Sequence, residues 1–106
     1  MRRARDEDRL FLSVISHVEL QAGTVRDDRA IFQSRLEQLL ESVEELEFTA
    51  REAGAYGSII AANGFSRRLV IDRMIAATAL ANDLRLATLN PRDFSSISGL
   101  VVEDWT

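Results

Sequence analysis

Apolar positions fall into short continuous runs separated by longer stretches of helical period. Residues 10–15 (Leu10, Phe11, Leu12, Ser13, Val14, Ile15) make one such run with strand-like composition. Ser16 follows, three positions before Glu19. A serine oxygen accepts an amide at a helix N-terminus while an acid three residues on reaches back, so this pair predicts a capping box opening a brief helix over residues 17–22. Gly23 ends it. Asp27 or Asp28 caps the next helix, whose apolar side carries Ile31, Phe32, Leu36, Leu39, Leu40, Val43 and Leu46. Its other side, with Glu37, Glu41, Glu44, Glu45 and Glu47, reads as solvent-facing.

Thr49 with Glu52 repeats the capping pattern and starts a third helix over residues 50–62, stopped by Asn63 and Gly64. Gly54 and Gly57 lower its propensity, but their missing side chains offer a neighbouring helix a close approach. Residues 65–71 read as a connection entering the interior. Asp72 caps a fourth helix bearing Met74, Ile75, Ala76, Ala77, Ala79, Leu80 and Ala81, a small-residue face suited to packing on a sheet. Residues 84–88 read as a strand, broken by Asn90 and Pro91; residues 93–97 as a short helix or turn; residues 100–102, after Gly99, as a final strand. Short strands alternating with helices predict an α/β sandwich with parallel pairing.

Composition narrows the chemistry. At 106 residues the chain suits one domain, and with 46% hydrophobic residues it can build a small core. The 17 acidic and 13 basic residues leave a net charge of -4, which fits a soluble globular domain and not a basic nucleic-acid module. With no cysteine, disulfides, thiolate catalysis and cysteine-ligated metal centres are excluded. No apolar run approaches the roughly 20 residues that cross a bilayer. Residues 1–9 mix basic and acidic side chains, and the apolar stretch beyond is broken by Ser13, Ser16, His17 and Glu19, unlike a secretory signal. The expectation is a cytoplasmic protein without a membrane partner.

Three acids stand apart from the solvent-facing run: Glu19 after the first strand, Asp72 at a helix start, and Asp93 beyond a strand and its proline turn. In a mostly parallel sheet, strand C-terminal ends and the following loops gather such positions. Crowded carboxylates repel unless a cation neutralises them; Mg²⁺ or Mn²⁺ favours oxygen ligands and activates water beside a phosphodiester. Each acid also has a local explanation: a capping box for Glu19, a helix cap for Asp72, a turn for Asp93. Thr88 and Asn90 can orient a carboxylate or water, or simply belong to a strand and a turn. His17 is the only histidine, so a histidine cluster is excluded and a structural role is favoured. Gly54 and Gly57 lack the pattern of a phosphate-binding loop. Arg67, Arg68, Arg85 and Arg92 could meet an RNA backbone or the periphery of a metal site, although isolated arginines more often solubilise a surface.

Three motifs in this order carry a family resemblance over nearly the whole chain. Phe11-Leu12-Ser13-Val14-Ile15-Ser16-His17-Val18-Glu19-Leu20 resembles the second acidic motif of bacterial PIN-domain toxins of the VapC type. Asp72-Arg73-Met74-Ile75-Ala76-Ala77-Thr78-Ala79 resembles the motif with their third acid, and Ala87-Thr88-Leu89-Asn90-Pro91-Arg92-Asp93-Phe94 the closing one, followed by the usual strand and tail over residues 99–105. The resemblance implies a three-layer α/β/α sandwich with a mostly parallel sheet, as one domain over residues 1–106. It implies a divalent-metal-dependent endoribonuclease toxin of a type II toxin–antitoxin system, neutralised by a small antitoxin whose C-terminal segment fills the active cleft. Glu19, Asp72 and Asp93 would hold Mg²⁺ or Mn²⁺, with Thr88 and Asn90 near them.

The start of the chain departs from the family pattern. Members begin with a buried strand ending in Asp-Thr-Asn and a helix; here residues 1–9 are charged, and Asp6 and Asp8 follow no hydrophobic strand. Leu89 also replaces a frequent arginine. The expectation is therefore an N-terminally truncated PIN-like chain with impaired activity, its exposed surface covered in a homodimer or higher homo-oligomer or by another polypeptide. The alternative is a catalytically inactive antitoxin-binding or assembly module. In an unrelated structural protein, the three acids would lie on different faces.

Overall fold

The first apolar run passes from strand to helix without a loop, because one of its own residues supplies the cap. The computed structural model describes residues 11–22 and 29–105, in two compact units, Met1–Glu47 and Phe48–Thr106. In the first unit, β1 (Phe11–Ser13) leads directly into α1 (Val14–Ala22). Buried Ser13 accepts the Ser16 backbone N–H through its Oγ at 2.9 Å and donates to the Ser16 hydroxyl at 3.0 Å. The helix thus begins three residues earlier than expected: Ser13 is its cap, Ser16 lies inside its first turn, and Glu19 takes no capping-box position. Ser13→Ala should lower stability by about 1 kcal/mol, measured by urea unfolding, and Ser16→Ala by less, because only Ser13 satisfies a helix-end amide.

α2 (Arg29–Ser42) stops at Ser42, whose Oγ donates to the Leu39 carbonyl at 3.0 Å. Leu36 is its buried residue, whereas Ile31 and Leu39, expected on the apolar side, are exposed. The predicted continuation of this helix through Leu46 is corrected. Residues Glu44–Leu46 form β2, parallel to β1, with Phe11 opposite Glu44, Leu12 opposite Glu45 and Ser13 opposite Leu46. Glutamate favours helix locally, but the hydrogen-bond ladder offered by β1 overrides that preference. The charged start over residues 1–9, Leu10, the Gly23 stop and the Asp27 or Asp28 cap lie outside the described residues.

In the second unit, α3 (Ala50–Asn63) has the predicted Thr49–Glu52 capping box and ends at Gly64, which at φ +81 donates its N–H to the Ile60 carbonyl at 2.7 Å. Gly54 and Gly57 face open space, so the close helix approach expected there is not made. Phe65 and Ile71 are exposed, so the following connection does not enter the interior as expected. α4 (Val70–Ala81) begins before Asp72, with Leu69 at the cap position and no side-chain cap. Asp72 therefore sits within the first turn instead of capping it, where the positive end of the helix dipole still favours its charge. Buried Arg73 donates to the Gly64 carbonyl at 2.6 Å, joining the end of α3 to the start of α4.

α3 and α4 pack on each other, with the small side chains of Ala76 and Ala77 fully buried. These two, with Ile59, Phe94 and Ile97, form the core, onto which Leu80, Leu86, Leu100 and Val102 close. β3 (Leu86–Thr88) runs parallel to β4 (Val102–Asp104) in the register Leu86–Val102, Ala87–Glu103, Thr88–Asp104. Between them Pro91–Phe94 is a 3-10 helix, and a turn follows with Gly99 at φ +83. That turn draws Leu100 into the core and delays the final strand to Val102, two residues later than expected. Both strand pairs are parallel, as anticipated, and each has two strands among the described residues. No helix of the described residues is long and apolar enough to cross a membrane.

Candidate active site

The site is built where β3 ends. The Thr88 carbonyl accepts the Trp105 N–H at 2.9 Å, which holds the strand end against the tail of β4. Thr88 Oγ1 accepts the Asn90 N–H at 2.9 Å, and the Asn90 carbonyl accepts the Asp93 N–H at 3.1 Å. Pro91, in the first turn of the 3-10 helix, has its φ already restricted and brings no N–H that would need a partner. Three consecutive local devices therefore aim one half-buried acid, Asp93.

Asp72 reaches the same place from the first turn of α4. The two carboxyls lie close enough for each to feel the other's charge. Burial, then the Asp93 charge, pushes Asp72 above the ordinary carboxylate value; the Arg68 guanidinium pulls the other way. Arg68 Nη1 lies 3.8 Å from Asp93 Oδ1, with its own side chain 74% exposed. Sequence reasoning grouped Arg68 with Arg67, Arg85 and Arg92, for an RNA backbone, the periphery of a metal site or simply a solubilised surface, and did not single it out. Its spacing of four from Asp72 was the one signal that could have set it apart.

The structure thus brings Asp72 and Asp93 together, with Thr88 and Asn90 adjoining along the chain. Glu19 is an exposed residue of α1 in the first unit. Among the described residues no group of three or more His, Asp and Glu side chains is gathered to hold a metal ion. What the Asp72–Asp93 pair presents is two hard oxygen donors whose charges repel, a repulsion that a divalent cation relieves. Its donor chemistry fits Mg²⁺ or Mn²⁺. His17, by contrast, is used structurally: its Nδ1–H donates to the Glu45 carboxylate, and its Nε2 accepts from Gln21 at 3.1 Å.

A family model for the PIN domain matches residues 1–100. The chain belongs to the PIN domain family. Among solved structures it is similar to VapBC2 from Rickettsia felis bound to a DNA fragment from their promoter, at 28% identity and a TM-score of 0.80, covering 92% of this chain and 76% of that one. It is similar at 27% identity to DNA-bound VapBC from Salmonella typhimurium, with a TM-score of 0.80 and coverage of 95% and 79%. VapBC-5 from Mycobacterium tuberculosis, of the VapBC family of toxin–antitoxin systems, shares 27% identity at a TM-score of 0.73, over 97% and 89% of the two chains. No curated protein matches the chain. This PIN domain accordingly has the PIN-like α/β fold, with a short sheet, and is of the VapC type.

Proposed function

We propose that this PIN domain is the toxin of a type II toxin–antitoxin pair, a divalent-metal-dependent endoribonuclease whose two units act as one domain. The observation that carries the reading is the crowded Asp72–Asp93 pair in a chain of this family. Asp72 and Asp93 would hold Mg²⁺ or Mn²⁺, which when bound lowers the pKa of water and offsets charge on the scissile phosphate. Asp72 would serve as a ligand in its carboxylate form. Thr88 keeps the Asn90 turn in place, and the exposed Asn90 amide is free to orient water or a phosphate oxygen. Glu19 enters as a further acid on its motif alone.

The similarity to VapBC complexes supports a small antitoxin as partner; a cytoplasmic setting and association of copies of this chain belong to the same proposal. The test is incubation of a mixed structured RNA pool with the purified chain and Mn²⁺, with EDTA in parallel. Internal cleavage that EDTA abolishes and added Mn²⁺ restores is the expected result. An intact RNA pool under all conditions, with a micromolar complex still formed with an antitoxin C-terminal peptide, would replace the nuclease by the inactive binding module.

A further inference from the structure

The second unit holds several arginines whose guanidinium groups are already committed. Arg73 is buried on the Gly64 carbonyl, Arg51 binds the Ala81 carbonyl and Asn82, and Arg85 pairs with Glu103 at 3.0 Å. Arg68 differs. It stands just before α4, and its contact with Asp93 at 3.8 Å is an ion pair through space and too long for a hydrogen bond. A pair this exposed is screened by solvent and contributes little to stability. The guanidinium is therefore held at the acid pair by charge while its planar fork of donors stays open to solvent.

We propose that Arg68 anchors a phosphate of the RNA backbone at the edge of the Asp72–Asp93 pair. This rests on the nuclease reading and names the group that admits its substrate. A phosphodiester approaching two carboxylates on a chain of net charge -4 meets repulsion, and a cationic side chain at the point of entry offsets it. Arginine suits that task because its fork matches two phosphate oxygens at once. Exchanging the long contact with Asp93 for phosphate requires only a small movement of an exposed side chain.

The experiment is binding of a mixed-sequence single-stranded RNA to the whole chain in EDTA, repeated over a range of salt concentrations. Arg68→Gln should raise Kd about ten-fold at low salt, as loss of a charge-assisted hydrogen bond does. The slope of log affinity against log salt should shrink by about 0.7, the share of one phosphate contact on a single strand. Arg68→Lys should keep the slope and recover only part of the affinity. Arg67→Gln removes an adjacent exposed charge and should change both much less. Unaltered binding in Arg68→Gln, an equal loss in Arg67→Gln, or no RNA binding by the unsubstituted chain would overturn the proposal. Matching melting transitions establish that Arg68→Gln is folded; if it is not, an unchanged affinity in Arg68→Lys overturns the proposal and a partial loss at constant slope supports it. Mn²⁺-dependent cleavage measured beside the binding separates the two readings: Arg68-dependent binding without cleavage removes the nuclease and leaves the phosphate contact standing.

Discussion

Asp72→Asn is expected to reduce Mn²⁺-dependent RNA cleavage by more than about 100-fold while leaving the metal-free melting temperature unchanged or higher. Changes to groups that merely support metal ligands typically cost 10–100-fold, so removal of a charged ligand should exceed that range. The stability half follows from the sign of the Asp72 shift. Burial and the neighbouring Asp93 charge make the folded chain hold the Asp72 proton more tightly than the unfolded chain does. Stability therefore falls as pH rises through the raised folded value, and at neutral pH the ionised carboxylate opposes folding. Asparagine keeps the shape without that charge. Cleavage at the original rate, or a melting temperature several degrees lower, would count against Asp72 as a strained ligand. Glu41→Gln, on the exposed face of α2, should change neither quantity.

Glu52 is expected to dominate the acid sensitivity of the second unit. Its side chain is only 3% exposed and accepts the Thr49 N–H at 2.8 Å, the Thr49 hydroxyl, Asn82 Nδ2 at 3.1 Å and Arg51 Nη2 at 3.3 Å. These bonds tie the start of α3 to the end of α4. The Thr49 hydroxyl and then the Thr49 amide hold the Glu52 carboxyl down from its ordinary 4.5 to about 2, against the opposing effect of burial. With the folded value depressed, the unfolded chain binds the proton more readily. The contribution is thus complete above about pH 4.5 and is lost as pH falls toward about 2. Glu52→Gln should flatten the pH dependence of the melting temperature in that window. At neutral pH, Thr49→Ala should cost about 1 kcal/mol, a shift of roughly 4–8 °C. Glu52→Ala should exceed it, since it removes the acceptor of four donors from three residues. An acid transition identical in Glu52→Gln and the unsubstituted chain would refute the assignment.

These two acids show how differently positions can be read. Thr49 and Glu52 are three residues apart, and their bond closes within one helical turn, so the pattern was legible before any fold was known. The same logic failed at Ser16 and Glu19. Local chemistry allowed a cap at either serine, and the pairing of β1 with β2 fixed the strand up to Ser13, leaving that residue at the helix start. Residues Glu44–Leu46 were misassigned for a related reason: their helical preference is local, whereas the ladder that overrides it comes from a strand more than thirty positions earlier.

By itself the sequence determined the α/β class, parallel pairing, the Thr49–Glu52 cap and the PIN-type motifs around Asp72 and Asp93. Each is written in spacings of a few residues, over which hydrogen-bond geometry is nearly independent of the rest of the chain. Only the tertiary structure decided that Asp72 leaves the capping position and meets Asp93, that burial and the Asp93 charge raise the Asp72 carboxyl above its ordinary value, and that Arg68 stays beside them with its donors free. Those properties depend on burial and on the distance between charges remote in sequence, and such distances exist only once α3, α4 and the turn after β3 have closed on their common core.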